Sequence, residues 1–230
     1  MTRRPELRIY NDAAAAAQAA AAYLAGQLAR RLEQAPRATL ALSGGRSPWD
    51  MIQAWVDSSP PWGRIDIFQV DERAAPEGES ARNLTALRTL LPPTACLHAM
   101  PVQLPEEQAR AVQAEVLRHL VGDPPIFDLI HLGLGADGHT ASLLPGDAAL
   151  GVTDAPLAWS GPYQGHRRMT LTYPVLNAAR RILFLVVGAD KRGALGRLLA
   201  GDGTIPAGRV RNPAILIMAD RTAAEGLSEG

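Results

Sequence analysis

The chain has 230 residues, of which 47% are hydrophobic and 20% are charged, so it can bury a sizeable core. Lys and Arg number 23, as do Asp and Glu, and this zero net charge argues against nucleic acid as a partner. No apolar run approaches the roughly 18 residues that cross a bilayer, and the one cysteine cannot form an internal disulfide. We therefore expect a cytoplasmic protein with one domain over residues 1–230 and no membrane partner, and we favour a monomer.

The first half of the chain alternates helices with short apolar strands. Asn11 or Asp12 is a good N-cap for an alanine-rich helix, and Pro48 fits the first turn of the next one. The predicted helices cover residues 12–34, 48–56, 81–91 and 105–121, and the predicted strands cover residues 38–42 and 65–70.

The second half continues the alternation less regularly. An apolar strand over residues 126–132 leads into a glycine-rich segment, and we expect a short helix over residues 138–144. Residues 151–165 have the composition of a loop. Further strands are predicted over residues 168–172, 182–187 and 214–218, and Asp190 is expected to cap a helix that ends near Leu199.

This order predicts an α/β fold, namely a Rossmann-like, doubly wound and largely parallel sheet with helices on both faces. Ligands of such sheets bind outside the carboxyl ends of the strands. Glycine or charged residues follow four of the predicted strands, at Ser43-Gly44-Gly45, Asp71-Glu72-Arg73, Gly133 to His139, and Gly188 to Lys191. These strand ends are therefore the candidate site.

Ser43-Gly44-Gly45 lies between a predicted strand and a predicted helix. Glycines let the backbone approach an anion closely, and the free N–H groups of a helix N-terminus favour a phosphate. The alternative is a tight turn without a ligand. No Gly-Lys-Ser/Thr follows, so the segment is not a Walker A loop.

Gly133-Leu-Gly135-Ala-Asp137-Gly138 formally matches the dinucleotide fingerprint. It lies mid-chain, however, and lacks the acidic residue expected about 20 positions later, so we predict no nucleotide cofactor. The more informative feature is Asp137-Gly138-His139, because a histidine at a strand end is a candidate general base. A structural hydrogen bond is the alternative role for His139.

The other chemistry-bearing residues divide into candidate ligands and structural groups. Arg73, Arg168 and Lys191 would each be ordinary surface charges in isolation, but their positions near strand ends favour joint binding of one anion. His131 lies within a strand and is expected to be buried structure. The sequence has no HExxH, CxxC or Gly-x-Ser-x-Gly pattern, so neither a metal site nor an α/β-hydrolase serine is indicated.

The ordered motifs together resemble the 6-phosphogluconolactonase family. They are Ser43-Gly44-Gly45, Val70 to Arg73, Phe127 to Leu129, Gly133 to Gly146, Arg168 to Ala179, and Val187 to Lys191. The resemblance implies the fold shared with glucosamine-6-phosphate deaminase and ribose-5-phosphate isomerase. It also implies hydrolysis of 6-phospho-D-glucono-1,5-lactone in the oxidative pentose phosphate pathway, without a nucleotide. The loop departs from the family's usual Ser-Gly-Gly-Ser-Thr-Pro at Arg46-Ser47, where Arg46 could supply charge instead of a hydroxyl.

Two alternatives remain open at this stage. A deaminase would carry a glutamate where this chain has Leu144, and a tyrosine where it has Arg73. A sugar-phosphate sensor without turnover would need only the cations and the glycine loop.

For the lactonase, we expect His139 to deprotonate water and Asp137 to support it, while N–H groups opening a helix near Gly138 bind the oxyanion. The expected substrate and phosphate contacts are Ser43, Gly44, Gly45, Asp71, Arg73, Arg168 and Lys191.

Overall fold

The computed structural model describes residues 5–227 of the chain. Its strands are β1 (Glu6–Tyr10), β2 (Ala38–Leu42), β3 (Ile65–Gln69), β4 (Asp71–Arg73), β5 (Cys96–His98), β6 (Leu129–Leu132), β7 (Leu157–Tyr163), β8 (His166–Leu171), β9 (Ile182–Val186) and β10 (Ile215–Asp220). Its α-helices are α1 (Ala13–Gln34), α2 (Arg46–Asp57), α3 (Asn83–Leu90), α4 (Glu106–Leu120), α5 (Tyr173–Ala178) and α6 (Arg192–Leu199).

A seven-stranded parallel sheet forms the centre, in the order β1-β10-β9-β6-β2-β3-β5. Both faces are covered. One buried cluster joins α1 and α2 to the sheet and includes Leu24, Leu28 and Trp55. A second cluster on the opposite face takes in side chains of α4, α5 and α6. The doubly wound, largely parallel α/β architecture predicted from the sequence is confirmed.

A second, smaller sheet has the antiparallel order β4-β8-β7 and packs against the second cluster. The sequence analysis did not predict it. Asp71-Glu72-Arg73 was expected to be the end of a parallel strand, but it forms β4 and turns the chain away from the central sheet. The predicted loop over residues 151–165 contains β7, and β1, β5 and α5 were also missed.

Two predictions about local structure are wrong. Residues 138–144 form turns and an isolated bridge between Thr140 and Leu143, with no helix. Asp190 does not cap α6, which follows a 3-10 turn and has Lys191 in the cap position without a side-chain cap bond. Asp12, by contrast, does cap α1, since its side chain accepts a hydrogen bond from the Ala15 N–H.

Asp66 ties β3 to the segment before β2 and to β5. Its carboxylate accepts a two-pronged contact from Arg37, at 2.5 and 2.7 Å, and lies 2.8 Å from His98 Nε2. Burial acts to raise the pKa of Asp66, but the hydrogen bonds from Arg37 and His98 outweigh it and leave this pKa below its usual value.

We expect Asp66→Asn to lower the free energy of unfolding at pH 7 by about 1.5 kcal/mol. A lowered folded-state pKa stabilises above the unfolded value near 4, and this contribution disappears as the pH falls through the folded value. The difference between wild type and variant should therefore shrink below about pH 4. Denaturant unfolding of wild type and Asp66→Asn at pH 7 and pH 3 measures this difference in the free energy of unfolding. The same difference at both pH values would contradict the stabilising contacts assigned to the Asp66 carboxylate.

Helices long and apolar enough to cross a membrane are absent from residues 5–227.

Candidate active site

The candidate site lies at the carboxyl edge of the central sheet, where the winding direction reverses. From β2 the chain proceeds outward through β3 and β5, whereas β6 pairs on the other side of β2 and continues to β9. The loops that follow β2 and β6 therefore leave the sheet side by side, which is where doubly wound sheets bind ligands. These loops begin at Ser43 and Gly133.

The loop after β6 holds a histidine–carboxylate pair. His139 Nδ1 lies 2.6 Å from Asp137 Oδ1, and the same oxygen accepts a hydrogen bond from the His139 backbone N–H at 3.0 Å. The pair is accessible, with 22% of the His139 side chain exposed. Because a carboxylate bound at Nδ1 fixes the ring, Nε2 is the nitrogen available for proton transfer.

The electrostatics of Asp137 fit this pairing. Partial burial acts to raise the pKa of Asp137, but the backbone hydrogen bond, the charge and the ring contact of His139 together hold this pKa below its usual value. Asp137 is therefore an ionised partner that orients the imidazole and stabilises its protonated form.

Two of the N–H groups near Gly138, where an oxyanion site was predicted, already have hydrogen-bond partners within the turn. Without a helix over residues 138–144, they have local partners: the Gly138 N–H donates to the Gly135 carbonyl at 2.9 Å, and the His139 N–H donates to Asp137. These hydrogen bonds shape the turn and hold the backbone of His139.

Two arginines lie directly opposite each other on neighbouring strands. Arg73 of β4 pairs in register with Arg168 of β8. Arg168 is only 3% exposed. Burial lowers the pKa of Arg168, and the Arg73 charge acts in the same direction. Like charges opposite each other are unfavourable in a sheet, so this arrangement is typical of a site that binds an anion between them.

Buried carboxylates accompany the arginines. Asp71 accepts a hydrogen bond from the buried Ser142 hydroxyl at 2.5 Å, and burial raises the pKa of Asp71 although Ser142 and the two arginines act against it. Glu72, fully buried, accepts from the backbone N–H groups of Asn83 and Leu84 at the start of α3, each at 2.8 Å. Glu72 is therefore a structural cap, and it fixes α3 beside the site.

The glycine loop leads from β2 into α2 and requires its glycines for space. A Cβ on Gly44 would lie 2.0 Å from Asn83 Oδ1, and Gly45 has a φ of +123°. Ser43 is buried and donates its hydroxyl to the His131 carbonyl at 3.1 Å. No side chain caps α2, so the N–H groups of its first turn can bind an anion.

Lys191 approaches the site from the end of β9. It ends the 3-10 turn Ala189–Lys191, and its Nζ lies 2.9 Å from Asp190 Oδ2. This contact lowers the pKa of Asp190. A quarter of the Lys191 side chain is exposed, so its ammonium group can exchange the Asp190 contact for a ligand.

These groups surround one cavity of about 650 Å³. Of the residues predicted from the sequence, it is lined by Ser43, Gly44, Gly45, Asp71, Arg73, His139, Arg168 and Lys191. Asp137 joins through its contact with His139. The cavity is also lined by residues that were not predicted as site residues, among them Asn83, Tyr163 and Gln164. Their residue types did not indicate a site, because Asn83 lies in a predicted helix and Tyr163 and Gln164 lie in the predicted loop over residues 151–165.

The remaining polar groups fit structural roles. His131 is fully buried, which lowers the pKa of its imidazole to about 3, so the ring is neutral at neutral pH. This agrees with the prediction that His131 is structural. Over residues 5–227, no three His, Cys, Asp or Glu side chains are grouped so that they could hold a metal ion.

Fold and site together define an α/β protein that can hold a phosphorylated ligand beside a histidine–carboxylate pair. The family model for glucosamine-6-phosphate isomerases/6-phosphogluconolactonase matches residues 11–218. A 6-phosphogluconolactonase of Synechocystis is 38% identical over 76% of both chains, and one from Nostoc is 36% identical over 74% of both. The solved 6-phosphogluconolactonase of Thermotoga maritima superposes with a TM-score of 0.84, at 26% identity over 94% of this chain and 99% of that one. The chain belongs to the glucosamine-6-phosphate isomerase/6-phosphogluconolactonase family.

Proposed function

We propose that this protein is a lactone hydrolase that converts 6-phospho-D-glucono-1,5-lactone to 6-phospho-D-gluconate, a step of the oxidative pentose phosphate pathway. The observation that carries the proposal is one cavity that holds the His139–Asp137 pair together with Arg73, Arg168 and Lys191. A phosphorylated lactone has the two matching features, a dianionic group and an electrophilic carbonyl.

In the proposed reaction, His139 Nε2 takes a proton from a water molecule as its oxygen bonds to the lactone carbonyl carbon. Asp137, bound at Nδ1, stabilises the imidazolium that forms. The tetrahedral intermediate then collapses, the bond from carbon to ring oxygen breaks, and the imidazolium returns its proton to the leaving oxygen. The immediate product is a carboxylic acid with a free hydroxyl group, and the acid releases its remaining proton to solvent to give the carboxylate. Water is the nucleophile throughout, so the reaction needs neither a nucleotide nor a metal.

The proposed phosphate anchor consists of the arginine pair, Lys191 and the backbone of Ser43-Gly44-Gly45 at the α2 N-terminus. Arginine and lysine contacts with phosphate are charge-assisted, and the helix dipole adds to them. Anchoring a remote phosphate places the carbonyl near His139 and reduces the entropy cost of reaction.

The direct test measures hydrolysis of freshly prepared 6-phosphogluconolactone, corrected for its spontaneous opening. The phosphorylated lactone should be opened far more efficiently than gluconolactone, because the anchor acts only on the phosphate. Equal efficiency with both would refute the anchor.

An assay with glucosamine 6-phosphate as substrate distinguishes the proposed lactonase from the deaminase of the same family. Leu144 is buried and cannot transfer protons, so no ammonia should be released above background. Robust release would replace the lactonase proposal with a deaminase, and phosphate binding without either activity would favour a sensor.

We expect Lys191→Ala to weaken substrate binding about tenfold or more, because one charge-assisted contact contributes roughly 1.5–3 kcal/mol. KM for the phosphorylated lactone, or the Kd for 6-phosphogluconate by calorimetry, measures the effect. Arg192→Gln is the matched control, since Arg192 is the next residue and its guanidinium pairs with Glu225 on the surface. Equal affinities of wild type and Lys191→Ala would remove Lys191 from the anchor.

We also propose that the chain forms one domain, which is supported by the two clusters packed on opposite faces of one sheet. The cytoplasmic location and the monomeric state stay predictions from the sequence.

A further inference from the structure

The tip of the β7–β8 hairpin reaches the cavity although it belongs to the smaller sheet. Tyr163 ends β7, Gln164 and Gly165 make the turn, and Tyr163 pairs with His166 after a register shift from Ser160. Gln164 has a φ of +52°, which non-glycine residues seldom adopt. A two-residue hairpin turn of type I′ requires a positive φ at both of its positions, and Gly165 has a φ of +83°. Both Tyr163 and Gln164 line the cavity.

The hairpin tip holds Arg168 from two sides. The Arg168 guanidinium carbon lies 4.9 Å from the centre of the Tyr163 ring, a cation–π contact. The same guanidinium donates to the Gln164 side-chain oxygen at 3.2 Å and to the Tyr163 carbonyl at 3.4 Å. Arginine has many rotamers, so these contacts restrict it to the orientation that faces the cavity.

The same aromatic ring also contacts the histidine. The rings of Tyr163 and His139 have centroids 5.4 Å apart and planes inclined at 65°, an edge-to-face arrangement. Asp137 fixes His139 at Nδ1, while Tyr163 limits the swing of the ring about that hydrogen bond. Tyr163 is thus in contact with one group of the proposed anchor and with the proposed base.

We propose that Tyr163 is a positioning residue that orients Arg168 for the phosphate and His139 for the carbonyl at the same time. The inference rests on the proposed function. The aromatic ring of Tyr163, rather than its hydroxyl group, performs this role, because the ring makes the contacts with both Arg168 and His139.

Three variants test the role. Tyr163→Phe keeps the ring, Tyr163→Leu keeps apolar bulk without it, and Pro162→Ala changes the exposed neighbouring residue as the hairpin control. We expect Tyr163→Leu to weaken binding of inorganic phosphate, measured by calorimetry, by roughly three- to thirtyfold. It should also raise KM for the phosphorylated lactone and lower kcat about tenfold, because the histidine is less well oriented. Tyr163→Phe and Pro162→Ala should match wild type within about twofold.

The outcomes separate this inference from the proposed function. Loss of kcat alone, or of phosphate affinity alone, in Tyr163→Leu would overturn the dual role. An equal loss in Tyr163→Phe would place the effect in the hydroxyl and overturn the role of the ring, and an equal loss in Pro162→Ala would show a general effect of the hairpin. If the wild type opens neither lactone, the proposed function fails, whereas unchanged phosphate affinity in Tyr163→Leu contradicts the inference whether or not the enzyme is active.

Discussion

Replacing His139 with alanine should reduce kcat by about 10²–10⁴-fold and leave KM much less affected. Water must lose a proton as its oxygen attacks the carbonyl, and general-base assistance contributes about this factor, or roughly 3–5 kcal/mol of barrier. KM depends chiefly on the phosphate anchor, which His139→Ala leaves intact. The variant should also lose the acidic limb of the kcat/KM profile that reports protonation of the imidazole.

Initial rates on the phosphorylated lactone, corrected for spontaneous hydrolysis, measure this effect. Folding should survive, because His139 lies at the cavity rather than in either apolar cluster. His119→Ala is the control, since His119 is exposed near the end of α4. A folded His139→Ala protein with near wild-type kcat would exclude His139 as the base and make Asp71 or Asp137 the candidate.

The five inner strands of the central sheet could be predicted because they are mostly apolar and buried on both faces, unlike the edge strands β1 and β5. Runs such as Ile182 to Val186 are fully buried, and helices with a clear apolar face separate them. The candidate site followed from the same reasoning, since polar residues after several parallel strands must meet at one edge. The same reasoning predicted that His139, Arg168 and Lys191 lie together, and all three line the cavity.

The smaller sheet could not be predicted because its pairing is long-range and its strands are short or interrupted. Three residues of β4 pair with β8 nearly a hundred positions later. In β7, Gly161 and Pro162 give the composition of a loop, and Gln164-Gly165 is not the Asn-Gly pair that marks a tight hairpin. The position of Tyr163 and Gln164 at the cavity therefore could not be predicted, although Arg168 was predicted to bind an anion.

The helix expected over residues 138–144 failed for a related physical reason. Gly138 has a φ of +84° and Ala141 a φ of +53°, neither of which an α-helix allows. A Cβ on Gly138 would lie 2.6 Å from Ile205, so contact with a distant segment, rather than local propensity, determines this turn. Composition alone does not reveal such a contact.

Substitution of Gly135 should also lower activity, although by less than substitution of His139, because Gly135 lies directly beside the histidine and its carboxylate. A Cβ at this position would lie 2.1 Å from His139 Nδ1 and 2.5 Å from Asp137 Oδ1, closer than real Cβ contacts allow. We therefore expect Gly135→Ala to displace the pair and to lower kcat by about 10- to 100-fold, since small displacements of catalytic groups cost factors of this size.

Gly133→Ala is a closely matched control for that prediction. It makes the same chemical change two residues earlier in the loop, where a Cβ would have no other atom within 4 Å. We expect Gly133→Ala to keep kcat within about twofold and both variants to bind 6-phosphogluconate like wild type, because the anchor lies on other loops.

Steady-state kinetics, calorimetry and thermal unfolding measure the activity, the ligand affinity and the stability of the two variants. Equal activity of the two would mean that the loop adjusts to the added methyl group, whereas equal losses would place the sensitivity in the backbone of the loop. A selective loss in Gly135→Ala would show that activity requires the contact between His139 and Asp137, because that contact is what the new Cβ obstructs.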